Sequence, residues 1–364
     1  MAVLSRATAA VARCDPPDPH HDHLEELCVH LWTDLSQVPP GYGPTVVTIG
    51  NFDGVHRGHV QVLGRIVELA RARESHAVAV TFHPHPAAVH RPDDAPELIT
   101  GIADRVELLG ATGLDAVLLV DYTLDFARQT PEEFVRTYLV DGLRVGTVVV
   151  GHDVRFGRDN AGTLATMEEL GERYGFEVVA IDDVGQHQGV PVTDDDEAGG
   201  HHDARWSSTG VRALLAAGDV REATRILGRH HRVRGTVVHG DARGRELGYP
   251  TANLGGISGM VPADGVYAGW LVRPQLAGAD PRHADVRLPA AISIGTNPTF
   301  DGQERRVEAY VLDRTDLDLY DEEVVLELVD RLRPTLRFDG IEPLVAQMRD
   351  DVERARATLA GAPA

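Results

Sequence analysis

The sequence predicts two folded parts in one chain: an α/β domain on a doubly wound parallel sheet, then a small antiparallel β-barrel closed by a C-terminal helix. Between Val46 and Ile181, short apolar runs alternate with amphipathic stretches. Buried strands separated by helices are the pattern of a parallel sheet covered on both faces. After about His231 the helical period fades, and β-rich runs are separated by Gly, Pro and Asp turns, the spacing of a small barrel. A length of 364 residues accommodates both parts, at roughly 150 residues per domain.

The elements follow in order. Val46–Ile49 is a short apolar strand. Val60–Arg73 places Val60, Leu63, Val67 and Ala70 on one helical face. Val78–Phe82, Ala116–Val120, Thr147–Val150 and Phe176–Ile181 are the remaining strands of the first part, with helices at Asp104–Thr112, Pro131–Val140 and Leu164–Tyr174. Ser207–Arg229 reads as two helices joined near Gly218, with Ser207-Ser208-Thr209 as an N-terminal cap. Val233–Val238, Gly265–Val272, Leu288–Ile294, Val307–Leu312 and Glu323–Val329 are barrel strands, and Ile341–Ala360 is the closing helix. Residues 1–28, with Pro16, Pro17, Pro19 and His20-His21-Asp22-His23, read as a flexible, solvated leader. The polar 186–204 stretch reads as a loop, in which a metal role for His201 and His202 has little to support it. The expected organisation is a leader at 1–28, a first domain at 29–206, a helical connector at 207–230 and a second domain at 231–364.

Composition excludes several functions. The chain has 56 acidic and 35 basic residues, a net charge of −21, and every basic residue is Arg. Without Lys there is no Walker A phosphate loop and no Schiff-base chemistry. The acidic balance argues against nucleic-acid partners and anionic membranes, although local Arg clusters can still hold phosphate. Two cysteines, Cys14 and Cys28, make neither a disulfide framework nor a four-cysteine metal site. They read as incidental in a reducing compartment, and no apolar run reaches membrane-spanning length. A cytoplasmic protein is expected, and association with further copies of itself is left open.

Gly50-Asn51-Phe52-Asp53-Gly54-Val55-His56-Arg57-Gly58-His59 lies where the first strand hands over to the first helix. Ligands of open parallel sheets sit at the carboxyl ends of strands, where a helix start offers free N–H groups to phosphate. His56 and His59, three apart, share a face of the first turn and could donate to a leaving pyrophosphate. Alone, H-x-G-H is expected by chance about 0.1 times in such a chain, and capping or surface histidines remain an alternative, as does zinc. The flanking Asn51, Phe52 and Asp53 favour the nucleotide reading.

In the second part, Gly235 to Leu254 contains a glycine-rich loop, with Gly240 and Gly244, that could wrap phosphate, and Arg243 and Arg245 could add charge. Thr251 and Asn253, two apart on an extended segment, face one side with the oxygen donors that Mg²⁺ accepts. A glycine-rich turn before a strand is the plain alternative. By spacing alone Glu308 is an ordinary strand Glu.

These motifs resemble, in order, those of the bacterial bifunctional riboflavin kinase/FMN adenylyltransferases. Gly50–His59 is similar to the family's HxGH segment, and Thr81-Phe82-His83-Pro84-His85-Pro86 follows the next strand. Gly151-His152-Asp153-Val154-Arg155-Phe156-Gly157 has Val154 where the family usually has Phe. Ser207-Ser208-Thr209-Gly210-Val211-Arg212 is similar to its Ser-Ser-Thr-x-Ile-Arg signature, and Gly248-Tyr249-Pro250-Thr251-Ala252-Asn253 to its Gly-x-Pro-Thr-Ala-Asn. The likeness continues through Ser293–Phe300 and Val307–Asp313 to Leu332, Arg333 and Phe338. Asp321 follows Tyr320 where the family usually has Gly.

The resemblance implies a nucleotidyltransferase, Rossmann-like first domain and a riboflavin kinase-like barrel. It implies that His56 and His59 stabilise the transferring phosphates, and that Gly50, Asn51, Asp53, Asp153 and Arg155 shape the nucleotide pocket. Ser207, Ser208, Thr209 and Arg212 would hold ATP phosphates. Gly240, Gly244, Arg245, Asn297 and Arg333 would contact nucleotide or flavin, Thr251 and Asn253 would hold Mg²⁺, and Glu308 would be the general base of the kinase. The substrates would be riboflavin, FMN and ATP, and the products FMN and FAD. Two alternatives compete: an enzyme with one decayed half, and a non-catalytic flavin-binding regulator. Class I aminoacyl-tRNA synthetases share the histidine motif but pair it with a Lys-rich loop, which a chain without Lys lacks.

Overall fold

A computed structural model of the chain describes residues 29–181, 206–240, 244, 247–280, 283–296 and 305–361. The leader, the 186–204 loop, Arg243, Arg245 and Asn297 lie outside the described residues. The chain divides into two compact units, one running to Pro96 and over Ile102–Trp206, the other holding Glu97–Gly101 and everything from Ser207 on. The 207–230 stretch, set apart by the sequence as a connector, is thus counted with the second unit.

The first unit is built on β1 (His30–Trp32), β2 (Thr45–Ile49), β3 (His76–His83), β4 (Ala116–Asp121), β5 (Val145–Gly151) and β6 (Glu177–Ile181). They form one sheet in the order β1-β4-β3-β2-β5-β6, every pair parallel. The main helices are α1 (Arg57–Ala72), α2 (Ile102–Gly110) and α3 (Leu164–Tyr174). Alternate residues of each strand enter different cores, which is the physical content of double winding. Val46, Ala77, Ala79, Val117 and Val149 pack with Leu63, Ile66 and Val67 of α1 and Val106 and Leu109 of α2. Val47, Val78, Val80, Leu118, Val148 and Val150 pack on the other face with Phe134, Leu139, Met167 and Leu170.

Two departures from the expected elements have simple causes. β1 is only three residues long, too short to show a period. The helix expected over Pro131–Val140 is a single α-turn, Pro131–Phe134, that widens into a π-helix over Val135–Gly142, a change in winding that hydropathy spacing does not register.

The second unit begins with α4 (Ser208–Ala217) and α5 (Val220–Leu227), joined through Gly218 in the left-handed region. The barrel strands are β7 (His231–Val238), β8 (Ala252–Ser258), β9 (Gly265–Val272), β10 (Arg287–Gly295), β11 (Arg306–Val311) and β12 (Glu323–Arg333). They close in the ring order β10-β11-β8-β7-β12-β9, with antiparallel neighbours throughout. The sequence reading has no separate strand at β8, where Gly255 and Gly256 dilute β propensity. It also ends β12 early, because irregularities between Leu328 and Asp330 and between Arg331 and Arg333 break the alternation there.

The closing helix, α6 (Ile341–Ala360), lies where it was expected. Ala355 and Leu359 pack on Val266, Ala268 and Leu332. A buried fork adds to this contact. Arg333 Nε donates to Asp351 at 2.9 Å and an Nη at 2.7 Å, with the two side chains 12% and 5% exposed. Removing one partner leaves a buried charge uncompensated. Asp351→Ala should therefore destabilise the second unit by about 3 kcal/mol, read as a lower denaturation midpoint.

Candidate active sites

The order β3-β2-β5 places the topological switch point between β2 and β5, since the chain winds one way from β2 and the other way from β5. Thr48 of β2 pairs with Val149 of β5, so the loops starting at Gly50 and Gly151 leave the sheet side by side at its carboxyl edge.

The loop after β2 is tightly wound. Phe52, Gly54 and Val55 have φ of 47°, 83° and 37°, and a β-branched residue at positive φ marks a backbone held by its surroundings. Gly50 is required by close approach: a Cβ there would lie 2.8 Å from the Phe52 ring. His56 is the N-cap of α1, and its Nδ1 accepts from the His59 backbone N–H at 3.4 Å. With Nδ1 accepting, Nε2 carries the imidazole proton and is the donor. The two imidazoles stack at 3.7 Å between centroids, and Phe52 meets His59 edge-on at 5.4 Å. His56 and Asp53 are buried, at 6% and 2% exposure. The structure thus brings Gly50, Asn51, Asp53, His56 and His59 into one turn, with the histidines on one face of the first helical turn as their spacing requires.

Asp153 and Arg155 follow β5 and are exposed. Arg155 donates to the Val154 carbonyl at 2.9 Å. Val154 packs at the margin of the second core of the sheet, an apolar role suited to a position where the family has Phe.

Two residues supporting the histidine loop went unmarked in the sequence. Arg105 of α2 is 1% exposed, and its guanidinium donates to the carbonyls of Asn51 and Phe82, both at 2.9 Å. The Thr81 hydroxyl donates to the same Asn51 carbonyl at 3.1 Å. Burial draws the Arg105 pKa below its ordinary range, opposed by the charge of Asp53. A signal was there: Arg105 interrupts a run of α2 residues, Ile102, Val106 and Leu109, that are all buried. His83, ending β3, is likewise kept low in pKa by burial and by Arg105, against Asp121.

In the second unit, Ser207 caps α4 by accepting from Gly210 N–H at 3.1 Å, and Ser208 and Thr209 form the first turn. Arg212 Nε donates to the Glu97 carbonyl at 2.7 Å.

The barrel places three of the expected kinase residues together. Glu308 of β11 pairs in register with Asn253 of β8, and Thr251 Oγ1 lies 3.4 Å from the Glu308 carboxylate. Val307, Ala309 and Val311 are buried, which turns Glu308 and Tyr310 to the other face of β11. Gly240 lies against the Asn253 amide, where a Cβ would sit 2.5 Å from Nδ2. Gly244 is pressed on the Tyr249 carbonyl and accepts from Tyr249 N–H at 2.7 Å. The Thr251 hydroxyl and Asn253 amide oxygens suit Mg²⁺ shared with nucleotide phosphates, with the Glu308 carboxylate beside them. Asp321 adopts φ 61°, the left-handed conformation that explains the family's Gly, and one that Asp tolerates. Arg333, expected at the flavin, has donors engaged by Asp351 and by the Pro334 carbonyl.

A switch-point histidine loop on a parallel sheet, followed by a barrel with a carboxylate beside a Thr-x-Asn strand, defines a two-part nucleotide-using transferase. Residues 40–194 match the FAD synthetase family model and residues 227–359 the riboflavin kinase model. The bifunctional riboflavin kinase/FMN adenylyltransferase of Escherichia coli (strain K12) is 35% identical over 89% of this chain and 95% of its own. That of Pseudomonas fluorescens is 36% identical over 91% and 98%. A crystal structure of a macrolide-efflux protein from Streptococcus pneumoniae aligns at a TM-score of 0.72 and 30% identity, covering 90% of this chain and 98% of that one. Its efflux description stays with that protein, since both family models and the curated relatives name flavin enzymes. The chain belongs to the bifunctional riboflavin kinase/FMN adenylyltransferase family.

Gly50→Ala would displace Phe52, which touches His59. It should slow conversion of FMN to FAD at least about tenfold while FMN formation from riboflavin is kept, measured by chromatography of the flavins; misplacing a catalytic group by an ångström can cost about a hundredfold.

Proposed function

We infer that the chain makes FAD from riboflavin in two steps at two sites. The barrel phosphorylates riboflavin with ATP to give FMN, and the α/β unit transfers AMP from a second ATP to FMN, releasing pyrophosphate. The observation that carries this reading is that each unit has its own family's motif assembled: the stacked His56–His59 pair in one, Glu308 beside Thr251 and Asn253 in the other.

In the barrel, Glu308 takes the proton from the riboflavin 5′-hydroxyl as its oxygen attacks the γ-phosphorus and the bond to ADP breaks. Gly240 and Gly244, lacking side chains, leave their backbone open to close approach by the phosphates. Thr251 and Asn253 would hold Mg²⁺, which when bound neutralises phosphate charge. In the α/β unit, an oxygen of the FMN phosphate attacks the α-phosphorus of ATP directly, so no enzyme nucleophile is needed. His56 and His59 donate to the phosphate oxygens, where charge grows as pyrophosphate leaves. Asn51, Asp53, Asp153 and Arg155 shape the pocket. The helix start at Ser207–Arg212 would offer N–H, hydroxyl and guanidinium donors to ATP phosphates. A cytoplasmic location is supported by the low cysteine count, and no described helix is long and apolar enough to cross a membrane.

Incubation with riboflavin, ATP and Mg²⁺ should yield FMN and FAD together, resolved by chromatography. His59→Ala should abolish FAD formation while FMN accumulates, and Glu308→Gln should stop FMN formation while added FMN is still converted. Equal loss of both activities in either variant would contradict separate sites. Chelation by EDTA should silence both reactions, with Mg²⁺ restoring them; FMN or FAD production that survives chelation would remove the cation from the scheme.

A further inference from the structure

Arg105 is a buried charged group that the two reactions leave without a role. Its guanidinium is inaccessible to substrate at 1% exposure, so it touches neither ATP nor flavin. Both of its described hydrogen bonds go to main-chain carbonyls at the carboxyl edge of the sheet. One is Asn51, in the histidine loop after β2; the other is Phe82, next to the end of β3. The two strands are already neighbours in register up to Ile49 and Val80, and Gly50 N–H donates to the Val80 carbonyl at 3.0 Å. Beyond that point the β2 chain leaves the sheet, and regular pairing no longer holds it. There the backbone enters three positive-φ residues in four positions, Phe52, Gly54 and Val55, and then delivers His56 as the cap of α1. A conformation of that kind persists only where its surroundings over-determine it.

We propose that Arg105 is a positioning residue for adenylyl transfer: its planar fork ties the first residue beyond Gly50 to the end of β3, and so fixes where the His56–His59 pair stands. The proposal rests on the reading of that pair as the phosphate-stabilising groups. Arg suits the task because one flat group reaches two carbonyls at once, whereas an ammonium is a compact point charge. Asp53, 2% exposed in the same loop, supplies the counter-charge that makes a buried guanidinium tolerable. A loop thus carries the carboxylate that balances the cation holding it.

The test is steady-state kinetics of Arg105→Gln and Arg105→Lys in the full chain, with riboflavin phosphorylation in the same preparation as the internal reference. Arg105→Gln should lower kcat for FMN to FAD by about thirtyfold or more, on the scale that misplacing a catalytic group costs, with KM for ATP changed less than about threefold. FMN formation from riboflavin should stay within about twofold. Arg105→Lys, which keeps the charge and the stem, should fall between wild type and Arg105→Gln. Adding Asp53→Asn to Arg105→Gln should cost less than the product of the two single losses.

An Arg105→Gln protein that makes FAD at the wild-type kcat would overturn the proposal. So would a loss accounted for by the unfolded fraction alone, measured by circular dichroism. If Arg105→Gln does not fold, Arg105→Lys decides, and a wild-type kcat there would sink the role of the fork. Wild-type enzyme that made no FAD from FMN would instead overturn the reading of the site.

Discussion

Parallel strands all point one way, and that constraint organises the first unit. Every loop that follows a strand emerges at the same edge, so segments distant in sequence meet there without any contact designed for the purpose. The turn after Ile49, the His83 segment, the end of β4 and the Gly151 turn are four such loops. Regular pairing ends where each loop begins, so the geometry beyond depends on side chains that reach across. Arg105 and Thr81 do this for Asn51. The resulting edge combines a helix start and two stacked imidazoles, donors suited to charge that moves on phosphate, with the buried Asp53 carboxylate balancing Arg105.

The barrel solves a different problem. Antiparallel closure leaves no free edge, and alternation along each strand separates a buried face from one available for chemistry. Glu308 and Asn253 face the same way because they are paired residues on β11 and β8. Elsewhere in the barrel the absence of Lys is visible in the contacts. Carboxylates meet flat arginine forks: Glu322 with Arg273, Glu327 between Arg232 and Arg287, and Asp285 and Asp316 about Arg314. Such paired geometries hold strands and turns in register more specifically than point charges would. A strongly acidic chain thus spends much of its limited positive charge on architecture.

Much of the geometry of both candidate sites was legible because it is local. His56 and His59 are three apart on a helix, Thr251 and Asn253 two apart on a strand, and Ser207 precedes the helix it caps, so each relationship follows from a backbone period. Glu308 was legible only through resemblance, since nothing in its own strand separates it from an ordinary Glu. Its nearness to Thr251 and Asn253 depends on how β11 pairs with β8. Arg105 showed only as a charge within an apolar helical run, and its partners were not legible, because they are carbonyls 54 and 23 residues away and carbonyls leave no mark in a sequence.

The amino-acid order alone determined the two-part architecture, the strand–loop–helix setting of the histidines and the exclusion of lysine-dependent chemistry, because periodicity and composition are properties of short windows. Tertiary structure decided the strand order that makes β2 and β5 a switch point, the register that puts Glu308 across from Asn253, and the burial of Arg105 beneath the loop it holds. Those outcomes arise from long-range pairing and packing, where each residue's role is set by neighbours that the chain brings close only when it folds.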